Sequence, residues 1–438
     1  VNQISNFISR LGTIRGLQIF QALRLSSILL VGIFFAKGNL SLSDIGGYES
    51  IMFLSSLVSF FWVSAILNGL ISKYQTLKEE EKKKYIFNVS ILISIINLFI
   101  VCLLFLFEQQ VNKGINNDDT ELFNLALLYI LLNNPSYLIE YFFIITDRTK
   151  RLVQYGFANF SLNLIAVLIP IALGLGIKYA LAGLIITAFI RIIVLMNILH
   201  QHTIKILDYR MIREHLVYSL PLIISLLLSG SSEYIDSFLI SSHFGPDQFA
   251  LFRYGAKELP IAVLLANALS TAIVPRLGNK EQIKNHLVEL KIESAKLMNL
   301  LFPLSIVLLL TSYWIYPLIF RQEFIESAKI FNVYILLLIS RMIFPQSVVL
   351  ALQKTNVIFK VALIEIIVNV TVSYLLMLKF GLIGVAYGTV VAFLIDKLLL
   401  SVYLGRLGIK FSHYVPLKLW AWYSVSLAIV YLFVENFI

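Results

Sequence analysis

Long apolar runs separated by short polar stretches repeat along the whole chain. They fall at about residues 16–36, 46–72, 86–107, 122–145, 152–177, 181–199, 216–240, 249–274, 297–320, 325–351, 357–378 and 382–404. Each is long enough for the ~20 residues that an α-helix needs to cross a bilayer. The pattern therefore predicts twelve membrane helices. A thirteenth run at 417–434 carries Trp420, Trp422 and Tyr423 near its start. Those rings suit an aromatic belt, so this segment either spans or lies along the interface.

Loop charges orient the helices. With the amino terminus inside, the inner loops hold 23 Lys and Arg and the outer loops hold 6, namely Lys37, Lys113, Lys178, Arg321, Lys329 and Lys379. That bias is the one a cytoplasmic side imposes. It would vanish if one helix before the twelfth were missed or invented, so charge and hydropathy check each other.

Composition then removes whole classes of function. Hydrophobic residues are 59% of the 438, charged residues are 14%, and mean hydropathy is +0.85. A soluble domain carries about 25% charged residues, so this chain lacks the atoms for a water-covered surface. The net charge of +10 would hint at nucleic acid in a soluble protein, but here the basic residues sit between apolar runs. The single cysteine, Cys102, excludes a disulfide framework or a Cys-rich metal site. No Walker A, HExxH, CxxC or GxSxG pattern is present, and the six histidines have no metal-ligand spacing. The longest outer loop, 108–121, is too small to fold as a catalytic domain, so an enzyme is not expected. Residues 1–15 are too polar for the core of a cleavable signal peptide.

The two halves resemble each other. Lys178-Tyr-Ala-Leu-Ala-Gly183 and Lys379-Phe-Gly-Leu-Ile-Gly384 stand 201 residues apart. Asn68–Tyr74 matches Thr271–Leu277 in character, and the loop Ser43–Tyr48 matches Pro246–Leu251, both at an offset of 203. Six helices return the chain to the same side, so the copies are expected to be parallel about an axis along the membrane normal. The expected fold is an all-α integral membrane protein of two pseudo-symmetric six-helix bundles around a central cavity. The bundles would be residues 1–203 and 204–405, followed by a basic loop and the thirteenth segment at 406–438.

Three stretches carry a wider resemblance: Gly245-Pro-Asp-Gln-Phe-Ala-Leu-Phe-Arg-Tyr254, Ala272-Ile-Val-Pro-Arg-Leu277 and Lys379-Phe-Gly-Leu-Ile-Gly-Val-Ala-Tyr-Gly388. Through them the sequence is similar to the multidrug/oligosaccharidyl-lipid/polysaccharide exporter superfamily. It resembles the polysaccharide-repeat-unit (O-antigen type) flippases most and the lipid II flippases next. The likeness spans the twelve-helix core, without a clear fourteenth helix. It implies a V-shaped pair of bundles that moves lipid-diphosphate-linked sugars across a bacterial cytoplasmic membrane by alternating access. The partners it implies are that substrate, membrane lipids and other membrane proteins of polysaccharide assembly.

Ionisable residues inside spans cost at least ~2.5–3.5 kcal/mol at a helix centre, so each asks for a reason. Arg24 and Arg191 lie deep, where they either bind the substrate diphosphate or pair with an acid such as Glu140. Arg253 and Lys257 are expected one turn apart on one face of the eighth helix, binding the diphosphate or reaching to the interface, with Glu258 partly neutralising them. Arg341 has binding and packing roles open to it. Lys397 beside Asp396 reads as an interfacial anchor. Glu233 and Asp236, three apart on the seventh helix, are a candidate proton-carrying pair. From the lipid II branch, the resemblance instead implies a sodium site at Asp236 with Asn369, Ser373 and Thr389. A buried salt bridge is the plainer alternative. No cofactor is expected beyond such a coupling ion. Pro170, Pro221, Pro260, Pro303 and Pro345 are expected to interrupt helices.

The expected function is therefore a flippase for polyprenyl-diphosphate oligosaccharide. A lipid II flippase and a cation-coupled drug exporter of the same fold are the alternatives. The drug exporter would want an acidic cavity, and six intramembrane cations argue against it.

Overall fold

The computed structural model describes residues 13–116, 119–278 and 283–437. Among the described residues the chain is helical, with no strand. Eleven helices among the described residues are long and apolar enough to cross a membrane, or up to thirteen spans if each of two bent helix pairs counts as one. Every predicted run has a counterpart, including the thirteenth. Contacts divide the chain into two units. One holds the residues up to Gly230 with Ser241–Ala250, and the other holds Ser231–Ile240 with the residues from Leu251 on.

The first unit contains α1 (Thr13–Lys37), α2 (Leu42–Leu57), α3 (Phe60–Tyr74), α4 (Glu79–Leu106), the short α5 (Glu108–Gly114), α6 (Thr120–Ser136), α7 (Leu138–Ile145), α8 (Thr149–Ala172) and α9 (Ile177–His202). The first turns of α10 (Tyr209–His243) also belong to it. Phe20, Trp62, Ile66, Val89, Ile139 and Phe142 are part of its main core. On α4, Ile95, Leu98, Phe99 and Phe105 are exposed, as on a helix whose outer face meets lipid.

The second span is bent by 46° between α2 and α3. At the break the Ser59 hydroxyl donates to the Ser55 carbonyl, and Trp62 Nε1 donates to the Val58 carbonyl at 2.8 Å. Side chains thus take over backbone acceptors where the ladder fails. Pro135 in α6 has no N–H to give the Leu131 carbonyl four residues back. Asn97 of α4, fully buried, donates to that carbonyl at 3.0 Å and to Ile130 at 3.2 Å, and accepts from Asn134 at 2.8 Å.

The second unit contains α11 (Pro246–Gly255) from Leu251 on, α12 (Pro260–Leu277), α13 (Ile283–Ile319), α14 (Ile325–Ile335), α15 (Leu337–Arg341), α16 (Pro345–Ala351), α17 (Thr355–Phe380), α18 (Leu382–Arg406), α19 (Phe411–Tyr414) and α20 (Leu417–Phe437). The eighth run is not one helix. Residues 256–259 are non-helical between α11 and α12. Pro260 starts α12, and Leu259 before it is extended, as the proline ring requires. Pro345 likewise starts α16 rather than interrupting a helix. Gly255 closes α11 against α14, because a Cβ there would fall on the Ser327 carbonyl.

The thirteenth helix, α20, is fastened along its length. Trp420 donates to the Ile339 carbonyl at 3.0 Å, and the Tyr423 hydroxyl donates to Asn299 at 3.0 Å. Near its end Glu435 accepts from Tyr313 at 3.1 Å and Asn332 at 2.9 Å.

Candidate functional site

Two polar clusters lie inside apolar helices, one in each unit. In the first, Arg24 of α1 meets Glu140 of α7 through both carboxylate oxygens at 2.6 Å. The break between α6 and α7 at Tyr137 sets the short helix that carries Glu140. Three rings surround the guanidinium: Phe20 at 5.3 Å, Phe160 at 5.9 Å and Tyr137 at 6.0 Å. The pair is lopsided, since the Arg24 side chain is 31% exposed and that of Glu140 only 9%. One face of the cation remains open while its anion is enclosed.

Arg191 of α9 adds a second guanidinium, in the electrostatic field of Glu140 and in hydrogen-bond contact with Tyr129. It is 8% exposed, and its Nε and Nη2 are buried with no hydrogen-bond partner among the described residues. Arg24, Glu140 and Arg191 together leave one positive charge over. The ion pair that the sequence offered as the plainer reading of Arg24 is present.

In the second unit Asp236 of α10 is 2% exposed. Its Oδ2 accepts from Tyr334 of α14 at 2.7 Å and from Thr389 of α18. The Thr389 hydroxyl also lies 3.2 Å from the Val385 carbonyl, and Ser373 of α17 reaches the same carbonyl at 3.3 Å. Ser373 donates to Asn369 at 2.8 Å. Gly388 makes this approach possible, because a Cβ there would strike Ser373. The structure thus gathers Asp236 and Thr389 directly, with Ser373 and Asn369 joined to them through one carbonyl. One carboxylate with neutral hydroxyl and amide oxygens is a hard donor set, suited to a proton or a small hard cation. Among the described residues no group of three or more His, Cys, Asp or Glu is placed to hold a metal ion. The side chain of Glu233 lies outside the described residues, and so does the proposed carboxylate pair. Tyr334 was missed: one buried tyrosine among 21 carries no distinguishing signal.

The predicted Arg253–Lys257 face is corrected. Arg253 is on α11 and Lys257 lies beyond its end, so helical spacing does not relate them. The Pro260 start and the Gly255 packing are the cause. Arg253 Nη1 is 3.5 Å from Ser237, and exposed Lys257 lies 5.2 Å from the Tyr254 ring. Glu258 serves Arg341 instead, through contacts of 2.5, 2.6 and 3.0 Å. Arg341 also lies 5.6 Å from the Phe393 ring, and it lines a small cleft with Glu258 and Tyr334. Lys397 bends back to Asp396 at 2.7 Å, so these neighbours pair although their backbone directions diverge.

Comparison with known proteins identifies the family and the fold. The sequence model of the lipid II flippase MurJ family matches residues 50–437. The chain belongs to that family. A Shigella flexneri protein named "Putative O-antigen transporter" is 25% identical over 185 residues. That match covers 41% of this chain and 43% of the relative's length. Among solved structures, lipid II flippase MurJ in an inward closed conformation aligns with a TM-score of 0.73 at 19% identity, covering 96% of this chain and 93% of its own. The Vibrio cholerae MATE transporter VcmN in its bent form aligns at 0.52 and 17%, covering 94% and 95%. A MOP superfamily transporter from Pyrococcus furiosus aligns at 0.53 and 14%, covering 92% and 95%. These likenesses show the fold: the chain has the helical two-lobe architecture of MurJ and the MATE transporters.

Proposed function

We propose that this MurJ-family chain flips a polyprenyl-diphosphate-linked oligosaccharide from the inner to the outer leaflet by alternating access, for cell-surface polysaccharide assembly. The setting is a bacterial cytoplasmic membrane with the amino terminus inside. The carrying observation is the surplus guanidinium charge in the first unit. Arg24 keeps an open face, and Arg191 has two donor atoms to spare. A fixed guanidinium fork matches phosphate oxygens, and low dielectric strengthens the match. Glu140 holds Arg24 until a diphosphate competes for it. Arg253 and Lys257 of the second unit are separate cationic candidates for binding an anionic group, and Arg341 is the weakest of these three, because Glu258 already neutralises it.

Asp236 is the coupling group in this reading. Tyr334, Thr389, Ser373 and Asn369 supply oxygens around it for a sodium ion or for proton exchange. Membership of a flippase family supports a transport role.

The test is flipping of a fluorescent polyprenyl-diphosphate oligosaccharide in proteoliposomes. Wild type should flip it. The paired variant Arg24→Gln/Glu140→Gln, which removes both members of the ion pair and leaves the net charge of the cluster unchanged, should fold and lose flipping. Wild-type efflux of a cationic dye, without flipping of several such lipids, would move the protein to the drug exporters.

A further inference from the structure

The first unit also carries a basic cleft that neither cluster uses. Lys73 at the end of α3 and Tyr209, Arg210, Arg213, Glu214 and Tyr218 on the first turns of α10 line it. Its floor is rigid. His215, fully buried, sits between the Tyr85 hydroxyl at 2.5 Å and the Ile66 carbonyl at 3.1 Å, which fastens α10 to α4 and α3. Lys73 Nζ donates to the Glu214 carbonyl at 3.4 Å and lies 5.2 Å from the Tyr218 ring. Arg210 pairs with Glu214 at 2.9 Å. Exposed Arg213 has no hydrogen bond or ion pair among the described residues.

Three cations and one carboxylate leave two positive charges among these lining side chains. The backbone amides at the start of α10 are already taken, since Arg210 and Met211 N–H donate to Asp208. The charge is therefore carried by side chains, of which Arg213 is uncontacted among the described residues while Lys73 and Arg210 are held by Glu214. At the position that corresponds to Lys73 by sequence, Arg276 is paired with Glu289, which also bonds His286 at 3.0 Å.

We infer that this cleft receives the diphosphate of the lipid-linked substrate at the inner membrane surface, before transport. A diester diphosphate carries two negative charges, which the two surplus positive charges match. A bilayer phospholipid of the phosphatidylglycerol type carries one. Basic pockets at the ends of membrane helices favour phosphate headgroups, and exposed Tyr209 and Tyr218 sit where headgroup-level rings belong. This inference rests on the flippase reading, and its test separates the two.

The probe is farnesyl-diphosphoryl-N-acetylglucosamine, titrated onto full-length protein in nanodiscs, with phosphatidylglycerol and inorganic diphosphate as competitors. Lys73→Ala/Arg213→Ala should weaken binding about tenfold or more, since each charge-assisted contact is worth about a factor of ten. Arg213→Glu alters only an exposed, uncontacted side chain, so it should fold normally and weaken binding at least as much per residue. In proteoliposomes both variants should raise the KM for flipping and leave kcat near wild type. Added salt should reduce wild-type affinity. Flipping by wild type with unchanged KM and affinity in both variants overturns the cleft while leaving the flippase reading intact. Equal competition by phosphatidylglycerol overturns it in favour of a bilayer lipid. Failure of wild type to bind or flip overturns both readings.

Discussion

The two units share a helical plan and treat buried charge in opposite ways. In the first, guanidinium is in excess: Arg24 and Arg191 share one enclosed carboxylate, Glu140. In the second, a buried carboxylate, Asp236, is held by the hydroxyls of Tyr334 and Thr389. Its cation Arg341 is matched separately by Glu258. In the proposed reading the first cluster would be the anion-receptive one and the second the cation- or proton-receptive one.

The most forceful way to break this comparison is to remove the anion from each unit. Glu140→Ala strands Arg24 beside buried Arg191, and removing one partner of a buried pair costs about 3–5 kcal/mol. Glu258→Ala strands Arg341 where both side chains are roughly a quarter exposed, so the loss should be smaller, about 1–3 kcal/mol. Chemical denaturation in detergent reads both. Arg24→Gln/Glu140→Gln should recover much of the first loss. Equal losses from the two single variants would show that the clusters do not differ in burial of charge.

A subtler change tests the second unit. Asp236→Asn keeps an oxygen to accept from Tyr334 and Thr389, so melting should shift by only a few degrees, in line with about 1 kcal/mol. Flipping should lose its response to an imposed sodium or proton gradient. Full retention of that response would remove Asp236 from coupling. The same measurement on Arg24→Gln/Glu140→Gln should find no transport left to couple.

Much of this was legible beforehand. Twelve apolar runs read as spans, with the thirteenth left open between spanning and interfacial, because crossing a bilayer imposes a length and a composition on each one separately. Asp236, Thr389, Asn369 and Ser373 were named together through family likeness, and the structure brings them close. The failures came where tertiary contact overrides local period. Helical spacing put Arg253 and Lys257 on one face, but Pro260 and the close approach of Gly255 to Ser327 end the helix between them. Glu258 follows Lys257 in sequence and pairs with Arg341, which is 83 residues away. Tyr334 and Lys73 have no sequence signature, because one acts through a single hydroxyl and the other through the cleft it borders.

A last pair of variants sharpens how the first unit tolerates polar atoms at all. Asn97 donates to the Leu131 carbonyl, the acceptor that Pro135 leaves without its usual partner. Asn97→Ala should cost about 1–3 kcal/mol, the price of an unsatisfied buried carbonyl. In a Pro135→Ala background the new N–H at residue 135 can close the helix onto Leu131, so the same Asn97→Ala change should cost clearly less. A double-mutant cycle by denaturation measures that difference, and residues sharing one network give interaction terms of about 0.5–3 kcal/mol. Strict additivity would mean that Asn97 acts through Asn134 and Ile130 alone. A double variant that costs less than the sum of the two single changes would identify a polar side chain whose work is to repair a helix, distinct from Arg24 and Asp236, whose buried charge the fold must stabilise for some other end.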